Sequence, residues 1–149
     1  MNKFCTFTLL CVVSVTAAGA EPERFISTLK LPSGQTVVVA EGDFEARSLG
    51  SFSLRVYDAA EPGDATTFFR VGEVRARDGA IEKVVLADVA GDPQPEVVVI
   101  VRSVGTGSYL SAQAFVVDPQ QVRLQRVVQG LPATADPLAA LRRAKPLTE

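Results

Sequence analysis

The sequence predicts an all-β fold: a mainly antiparallel β-sandwich, or a barrel-like sheet, of about eight strands, ending in a short C-terminal helix or a frayed tail. Three observations point there. Short runs rich in Val, Phe, Ile and Thr follow one another between clusters of Gly, Pro, Ser and Asp. Several of these runs alternate apolar and polar side chains, as a strand with one buried face requires. Another, Glu96 to Arg102, carries the unbroken branched stretch Val97-Val98-Val99-Ile100-Val101, as a strand buried on both faces requires. Periodicity alone does not separate a sandwich from a barrel.

The elements follow in order. Phe25 to Leu31 and Gln35 to Glu41 read as a first hairpin around the turn Pro32-Ser33-Gly34. Gly42 to Gly50 is a loop of mixed charge. Ser51 to Tyr57 alternates cleanly, with Phe52, Leu54 and Val56 on one face and Ser53, Arg55 and Tyr57 on the other. After the Ala-, Pro- and acid-rich loop Asp58 to Thr66, Phe68 to Arg77 alternates again. Asp78-Gly79 then predicts a type I′ hairpin turn, with Ala80 to Val89 as the partner strand, because Asp and Gly tolerate the positive φ angles of that turn. Glu96 to Arg102 and Tyr109 to Val117 flank the glycine-bearing loop Ser103 to Ser108, and Val122 to Val128 is the last strand. In the tail, Asp136 is a candidate N-cap, Pro137 fits the first helical position, and Arg142, Arg143 and Lys145 suit a helix C-terminus.

The first twenty residues read as an export signal. Asn2 and Lys3 give a short basic start, Phe4 to Val15 is largely apolar, and Ala18-Gly19-Ala20 has the small-x-small pattern of a cleavage site, with the cut expected between Ala20 and Glu21. Removal of residues 1–20 from the 149 leaves 129, a length suited to one domain spanning 21–149. Both cysteines, Cys5 and Cys11, fall within the removed segment; Leu10 before Cys11 does not suit a lipid-attachment site. The mature chain is thus expected to be soluble, disulfide-free and exported. With Lys3 gone, 14 basic residues face 17 acidic ones, a net charge of −3 that disfavours nucleic acid and anionic membrane as partners.

Little catalytic chemistry remains. The mature chain has no His, Cys or Trp, which removes the commonest general base, the thiol nucleophile and most transition-metal ligands. A glycan-processing enzyme working with paired carboxylates remains conceivable. Among 17 acids, however, some pair is inevitable, and surface solvation accounts for nearly all of them. No enzyme activity and no cofactor are expected.

Two segments stand out as binding sites. The acidic stretch Asp88-Val89-Ala90-Gly91-Asp92-Pro93-Gln94-Pro95-Glu96 has oxygen ligands at Asp88, Asp92 and Glu96 that suit calcium. It equally suits a tight turn closed by Asp side chains on backbone N–H groups. The second segment is Ser103-Val104-Gly105-Thr106-Gly107-Ser108 followed by Tyr109. Its glycines are expected to take positive φ and project a tip that offers the hydroxyls of Ser103, Thr106, Ser108 and Tyr109 to a partner. Tyr is a rigid anchor with a polar end, as recognition loops use.

At this loop the chain resembles the periplasmic inhibitors of invertebrate-type (I-type) lysozyme of Gram-negative bacteria. The resemblance rests on the order and spacing of Leu31-Pro32-Ser33-Gly34, Val39-Ala40-Glu41-Gly42-Asp43, Gly50-Ser51-Phe52-Ser53-Leu54-Arg55-Val56-Tyr57, Leu86-Ala87-Asp88, Pro95-Glu96-Val97-Val98-Val99 and Gly107-Ser108-Tyr109-Leu110-Ser111-Ala112-Gln113-Ala114-Phe115. It implies an antiparallel all-β fold, a homodimer, and an inhibitory loop with the signature Ser-Gly-x-Tyr. Thr106-Gly107-Ser108-Tyr109 matches that signature, with Thr106 keeping the hydroxyl in the Ser position and adding a methyl. The implied role is to block the lysozyme cleft, with Thr106 and Tyr109 bonding its carboxylates. A calcium-dependent or cell-surface binding sandwich using the Asp88 to Glu96 loop is the competing reading.

Overall fold

The computed structural model describes residues 23–148; the expected export signal, its cut at Ala20, and Cys5 and Cys11 lie outside the described residues. The described residues form eight strands: β1 (Ile26–Lys30), β2 (Thr36–Glu41), β3 (Leu49–Tyr57), β4 (Phe69–Asp78), β5 (Ala80–Ala87), β6 (Glu96–Arg102), β7 (Leu110–Val117) and β8 (Val122–Leu131). One helix follows, α1 (Pro137–Arg143). The strands form two antiparallel four-stranded meanders, in the orders β1-β2-β3-β4 and β5-β6-β7-β8. The architecture is therefore a sandwich rather than a closed barrel.

The alternation read from the sequence is what packs the two sheets. Val37 and Val39 of β2 and Phe52, Leu54 and Val56 of β3 point inward from the first sheet. Ile81, Val84, Val97, Val99, Val101 and Phe115 meet them from the second. At the centre the rings of Phe52 and Phe115 meet edge to face, with centroids 6.1 Å apart and planes at 83°. Such a pair adds roughly 0.5–1.5 kcal/mol to the area it buries.

The branched run of β6 has the two-sided burial expected of it. Val97, Val99 and Val101 face the other sheet, while Val98 and Ile100 face outward into a second cluster with Val89, Ala112, Ala114 and Leu141. That outer cluster is roofed by α1. The small side chains of Ala112 and Ala114 leave room for Leu141, which is fully buried. The tail is thus a helix and not frayed. The Asp136 carboxylate accepts from the amides of Leu138 (2.9 Å) and Ala139 (3.2 Å), Pro137 opens the first turn, and the Arg126 guanidinium donates to the Ala144 carbonyl at the other end. No helix of the described residues is long and apolar enough to cross a membrane.

The structure corrects the reading of the β4–β5 connection. Asp78-Gly79 does not close a hairpin: β4 is the last strand of the first sheet and β5 the first of the second. The local signal was sound, since Gly79 has φ +119°. Here, however, the glycine turns a corner between sheets. Its amide still donates to Ser48 O (2.9 Å), extending the β3–β4 ladder by one residue. A Cβ on Gly79 would lie 2.2 Å from the Arg102 carbonyl oxygen, so β6 passes directly against it.

Gly79 and Gly63 separate conformational strain from crowding. Both have strongly positive φ, +119° and +103°, but nothing lies within 4 Å of a Cβ on Gly63. Gly63→Ala should cost only the strain, about 1 kcal/mol or somewhat more. Gly79→Ala should cost at least about 1–3 kcal/mol beyond that, because backbone must move. Urea unfolding of the two variants measures the difference; equal losses would contradict the corner contact.

Candidate functional site

The loop 103–109 leaves β6, which is buried on both faces, and enters β7, so its two ends are held by strands of the core. The Ser103 amide donates to Tyr109 O (2.9 Å) and closes the base. The Ser108 amide donates to Gly105 O (3.0 Å) and makes the tip a four-residue turn over Gly105 to Ser108.

The tip does not use its glycines as expected. The left-handed residue is Ser108, at φ +43°, and neither Gly105 nor Gly107 has positive φ. The glycines contribute by lacking a side chain. A Cβ on Gly107 would lie 2.2 Å from Tyr109 Cε2 and 2.8 Å from Cζ. The Tyr109 ring therefore lies over the backbone of Gly107. Gly105 faces open space.

Thr106 and Gly107 are exposed, Ser103 and Ser108 half-buried, and Tyr109 retains 56 % of its accessible surface. None of the hydroxyl groups of Ser103, Thr106, Ser108 and Tyr109 is engaged with another group of the described residues. The tip thus presents unspent donors and acceptors beside an aromatic ring.

Two residues that sequence reasoning passed over hold this loop in place. Arg102, the last residue of β6, donates from Nη1 to Ser108 O (3.1 Å). Its Nη2 and Nε bond the Glu82 carboxylate, the former at 2.9 Å. Glu82 sits in a bulge where the β5–β6 register shifts between Ile81 and Lys83, which turns its carboxylate toward Arg102. The polar doublet Glu82-Lys83 between Ile81 and Val84 was the available signal, because it breaks the alternation of β5. The Arg102 hydrogen bond holds the Glu82 carboxyl below its usual range, outweighing the opposing effect of burial.

The acidic segment 88–96 is a turn. Asp88 Oδ1 accepts from the Gly91 amide (2.6 Å) and Asp92 Oδ1 from the Gln94 amide (2.9 Å). Glu96 is turned inward and buried, accepting from the Val89 amide (2.9 Å). The three carboxylates are engaged separately. Among the described residues no group of three or more His, Cys, Asp or Glu converges as a metal site.

Residues 23–145 match the family described as periplasmic lysozyme inhibitor of I-type lysozyme. Among solved structures, the chain is similar to PliI-Ah, the periplasmic lysozyme inhibitor of I-type lysozyme from Aeromonas hydrophila, at 44 % identity and a TM-score of 0.74, covering 78 % of this chain and 98 % of that one. It is equally similar to A. hydrophila PliI solved in complex with Meretrix lusoria lysozyme, at 44 % identity and a TM-score of 0.73, covering 79 % and 95 %. No curated protein sequence matches the chain.

The brace on the loop has a definite pH sign. Glu82 has a folded pKa below its ordinary value of 4.5, so its contribution is fully present above that value and is lost as pH falls through the lower folded value. Amide chemical shifts of residues 103–109 should stay constant from neutral pH down to about 5, and move only below the ordinary glutamate range. Glu82→Gln should abolish that transition. A transition persisting in Glu82→Gln would assign it to another group.

Proposed function

The chain belongs to the family of periplasmic lysozyme inhibitors of I-type lysozyme, and from that premise we propose that its loop 103–109 enters the active-site cleft of the enzyme and blocks it. The chain is an inhibitor and not itself an enzyme. The observation that carries the loop reading is the braced tip, where the Tyr109 ring lies over Gly107 and the hydroxyls of Thr106 and Tyr109 are unspent.

Glycosidases of this kind cut between two carboxyl groups in a cleft. A hydroxyl donating to a carboxylate forms a charge-assisted bond, roughly twice as strong as a neutral one. Thr106 and Tyr109 are the donors assigned to those carboxylates. Gly107 leaves space for the cleft wall on one side and seats the Tyr109 ring on the other. Ser103 and Ser108 shape the loop and offer further hydroxyls at its edges. Because Arg102 and the Ser103–Tyr109 bond hold the loop before the enzyme arrives, little ordering entropy is lost on binding.

The same reading places the protein where its target acts. Residues 1–20 direct export and are removed, and 21–149 form one inhibitor domain in the periplasm, between peptidoglycan and an incoming lysozyme. The partner assigned to this chain is an I-type lysozyme, in keeping with the lysozyme-bound A. hydrophila relative. The mature charge of −3 favours approach to a basic enzyme. A homodimer is the assembly expected from the family resemblance, and sedimentation of residues 21–149 tests it.

Inhibition of an I-type lysozyme acting on cell walls tests the loop. Tyr109→Ala should weaken inhibition at least tenfold, as hot-spot aromatics contribute more than about 1 kcal/mol, with the thermal midpoint unchanged. Tyr109→Phe should recover part of that loss but lack the hydroxyl bond. Gly107→Ala should displace the ring and weaken inhibition without unfolding the sandwich. Full inhibition by Tyr109→Ala would sink the loop reading.

A further inference from the structure

Among the described residues, every arginine that is buried or half-buried has a partner, except one. Arg24 pairs with Asp43, Arg75 with Glu73, Arg77 with Glu41 and Arg102 with Glu82. Arg126 donates to the Ala144 carbonyl, and Arg123 is engaged as well. Half-buried Arg55 has no ion pair and no hydrogen bond among the described residues, and its Nε is buried without a partner. A buried donor left unmade is costly, and more so on a charged group. The acids near it in the chain are committed elsewhere: Asp58 to Arg70, Glu73 to Arg75, and Glu45 to the amide and hydroxyl of Ser51.

Arg55 stands on the outward face of the first sheet. Leu54 and Val56 on either side of it point into the core, so Arg55 points away from it, opposite Val38 on β2 and Gly72 on β4. Gly72 is the floor of a small platform. A Cβ there would lie 3.3 Å from Arg55 Cγ and 3.4 Å from Phe69 Cε2, so the arginine stem and the Phe69 ring both lie against bare backbone. Phe69 is 59 % exposed. The half-buried Tyr57 ring holds it edge to face, with centroids 6.0 Å apart and planes at 77°. The register of β3 on β4 shifts between Val56 and Tyr57, which sets Phe69 opposite Tyr57 on this face. The other outward strand positions of the sheet, as far as Ala76 on β4, add the cation Lys30 and no acid, in a chain with 17 acids.

We propose that this face is a binding site for a carboxylated glycan, the peptidoglycan strand, with Arg55 taking a carboxylate and the Phe69 ring taking the apolar face of a sugar ring. A guanidinium fork matches a carboxylate with two parallel N–H···O bonds, and such a bond would engage the N–H groups of Arg55. An exposed aromatic ring offers the sugar a flat apolar surface, and Tyr57 keeps that ring in one orientation before the ligand arrives. In peptidoglycan the carboxylates sit on peptide stems attached to N-acetylated sugars, so charge and ring come side by side. The family is periplasmic, which places the chain in the compartment of that polymer. The site lies on the first sheet, whereas the loop 103–109 joins two strands of the second, so one can be occupied while the other is free. Binding here retains the inhibitor at the wall that an incoming lysozyme attacks.

The test is a chemical-shift titration of residues 21–149 with a disaccharide-tetrapeptide fragment of peptidoglycan, beside chitobiose, which has sugar rings but no carboxylate. The fragment should move the amides of residues 53–57 and 69–74 and the Arg55 Nε–H saturably, and chitobiose should need at least tenfold higher concentration. Arg55→Met keeps the stem and removes the guanidinium. It should weaken binding of the fragment at least tenfold, keep or raise the thermal midpoint, and inhibit an I-type lysozyme as the unaltered protein does. Phe69→Leu should weaken binding of both sugars. A fragment that leaves these resonances unmoved, or moves them equally in Arg55→Met, overturns the proposal and leaves the cleft reading standing. Loss of lysozyme inhibition in Arg55→Met overturns it as well, by assigning the guanidinium to the enzyme. The same resonances moving on dilution of the protein alone also overturn it, and assign the face to a second copy of this chain.

Discussion

The end of the sandwich that carries the loop 103–109 is organised by one buried cation. The Arg77 side chain is 1 % exposed and sits where β4 leaves the first sheet. It donates to the carbonyls of Ser51 (3.0 Å), Arg47 (2.9 Å), Ala46 (3.0 Å) and Gly79. Its Nε lies 3.7 Å from the buried Glu41 carboxylate, which accepts from the amides of Ile81 (2.7 Å) and Phe25 (3.2 Å). These contacts join β2, β3, β4, β5 and the residue that leads into β1 at one point. Removing one partner of such a buried pair costs about 3–5 kcal/mol, because the other charge is left unpaired. The two charges are held by the carbonyls and amides of the corner as well as by each other. That corner carries the connection 42–48 and, through Gly79, supports the strand from which the loop 103–109 springs.

Rigidity at the base and free chemistry at the tip are two sides of one arrangement. β6 is held between the opposite sheet and α1, so the loop that follows it starts from a strand with no freedom on either face. Arg102 then reaches back to Ser108 O and to Glu82, adding a polar brace where the apolar core ends. Beyond that brace the hydroxyls have no partners among the described residues. The proposed occupation of a sugar-binding cleft gains from this division: interactions satisfied within the free protein give nothing on binding, and disorder at the tip would have to be removed there.

Most of the sandwich was legible because burial writes itself into periodicity. The alternation of Ser51 to Tyr57 and the branched run of β6 could be read directly, as could the Asp136-Pro137 helix start. The connection at Asp78-Gly79 was misread because the signal is local. It reports a positive φ but not whether the next strand returns to the same sheet or crosses to the other, which Arg77 and β6 decide from far along the chain. The same limit applied at the loop tip. Composition located Thr106, Gly107 and Tyr109, yet Gly107 proved to be a seat for a ring and not a left-handed hinge, and Ser108 took the strained angle. Glu41, Glu45, Glu82, Arg77 and Arg102 read as ordinary charges, because nothing in their spacing reveals the carbonyls and amides they meet. The acidic run 88–96 illustrates the converse: carboxylates spaced like ligands, each satisfied by the backbone of its own turn or, for Glu96, by an amide seven residues back.

The central claim is that the inhibitor and the sugar substrate compete for one cleft. The direct measurement is the dissociation constant of residues 21–149 for an I-type lysozyme in rising concentrations of a chito-oligosaccharide bound in the cleft and not turned over. Occupation of the cleft by the loop predicts an apparent constant that grows in proportion to oligosaccharide concentration, without limit. A constant that is unchanged by the sugar, or that levels off while the inhibitor remains bound, would contradict the account and place the inhibitor elsewhere on the enzyme.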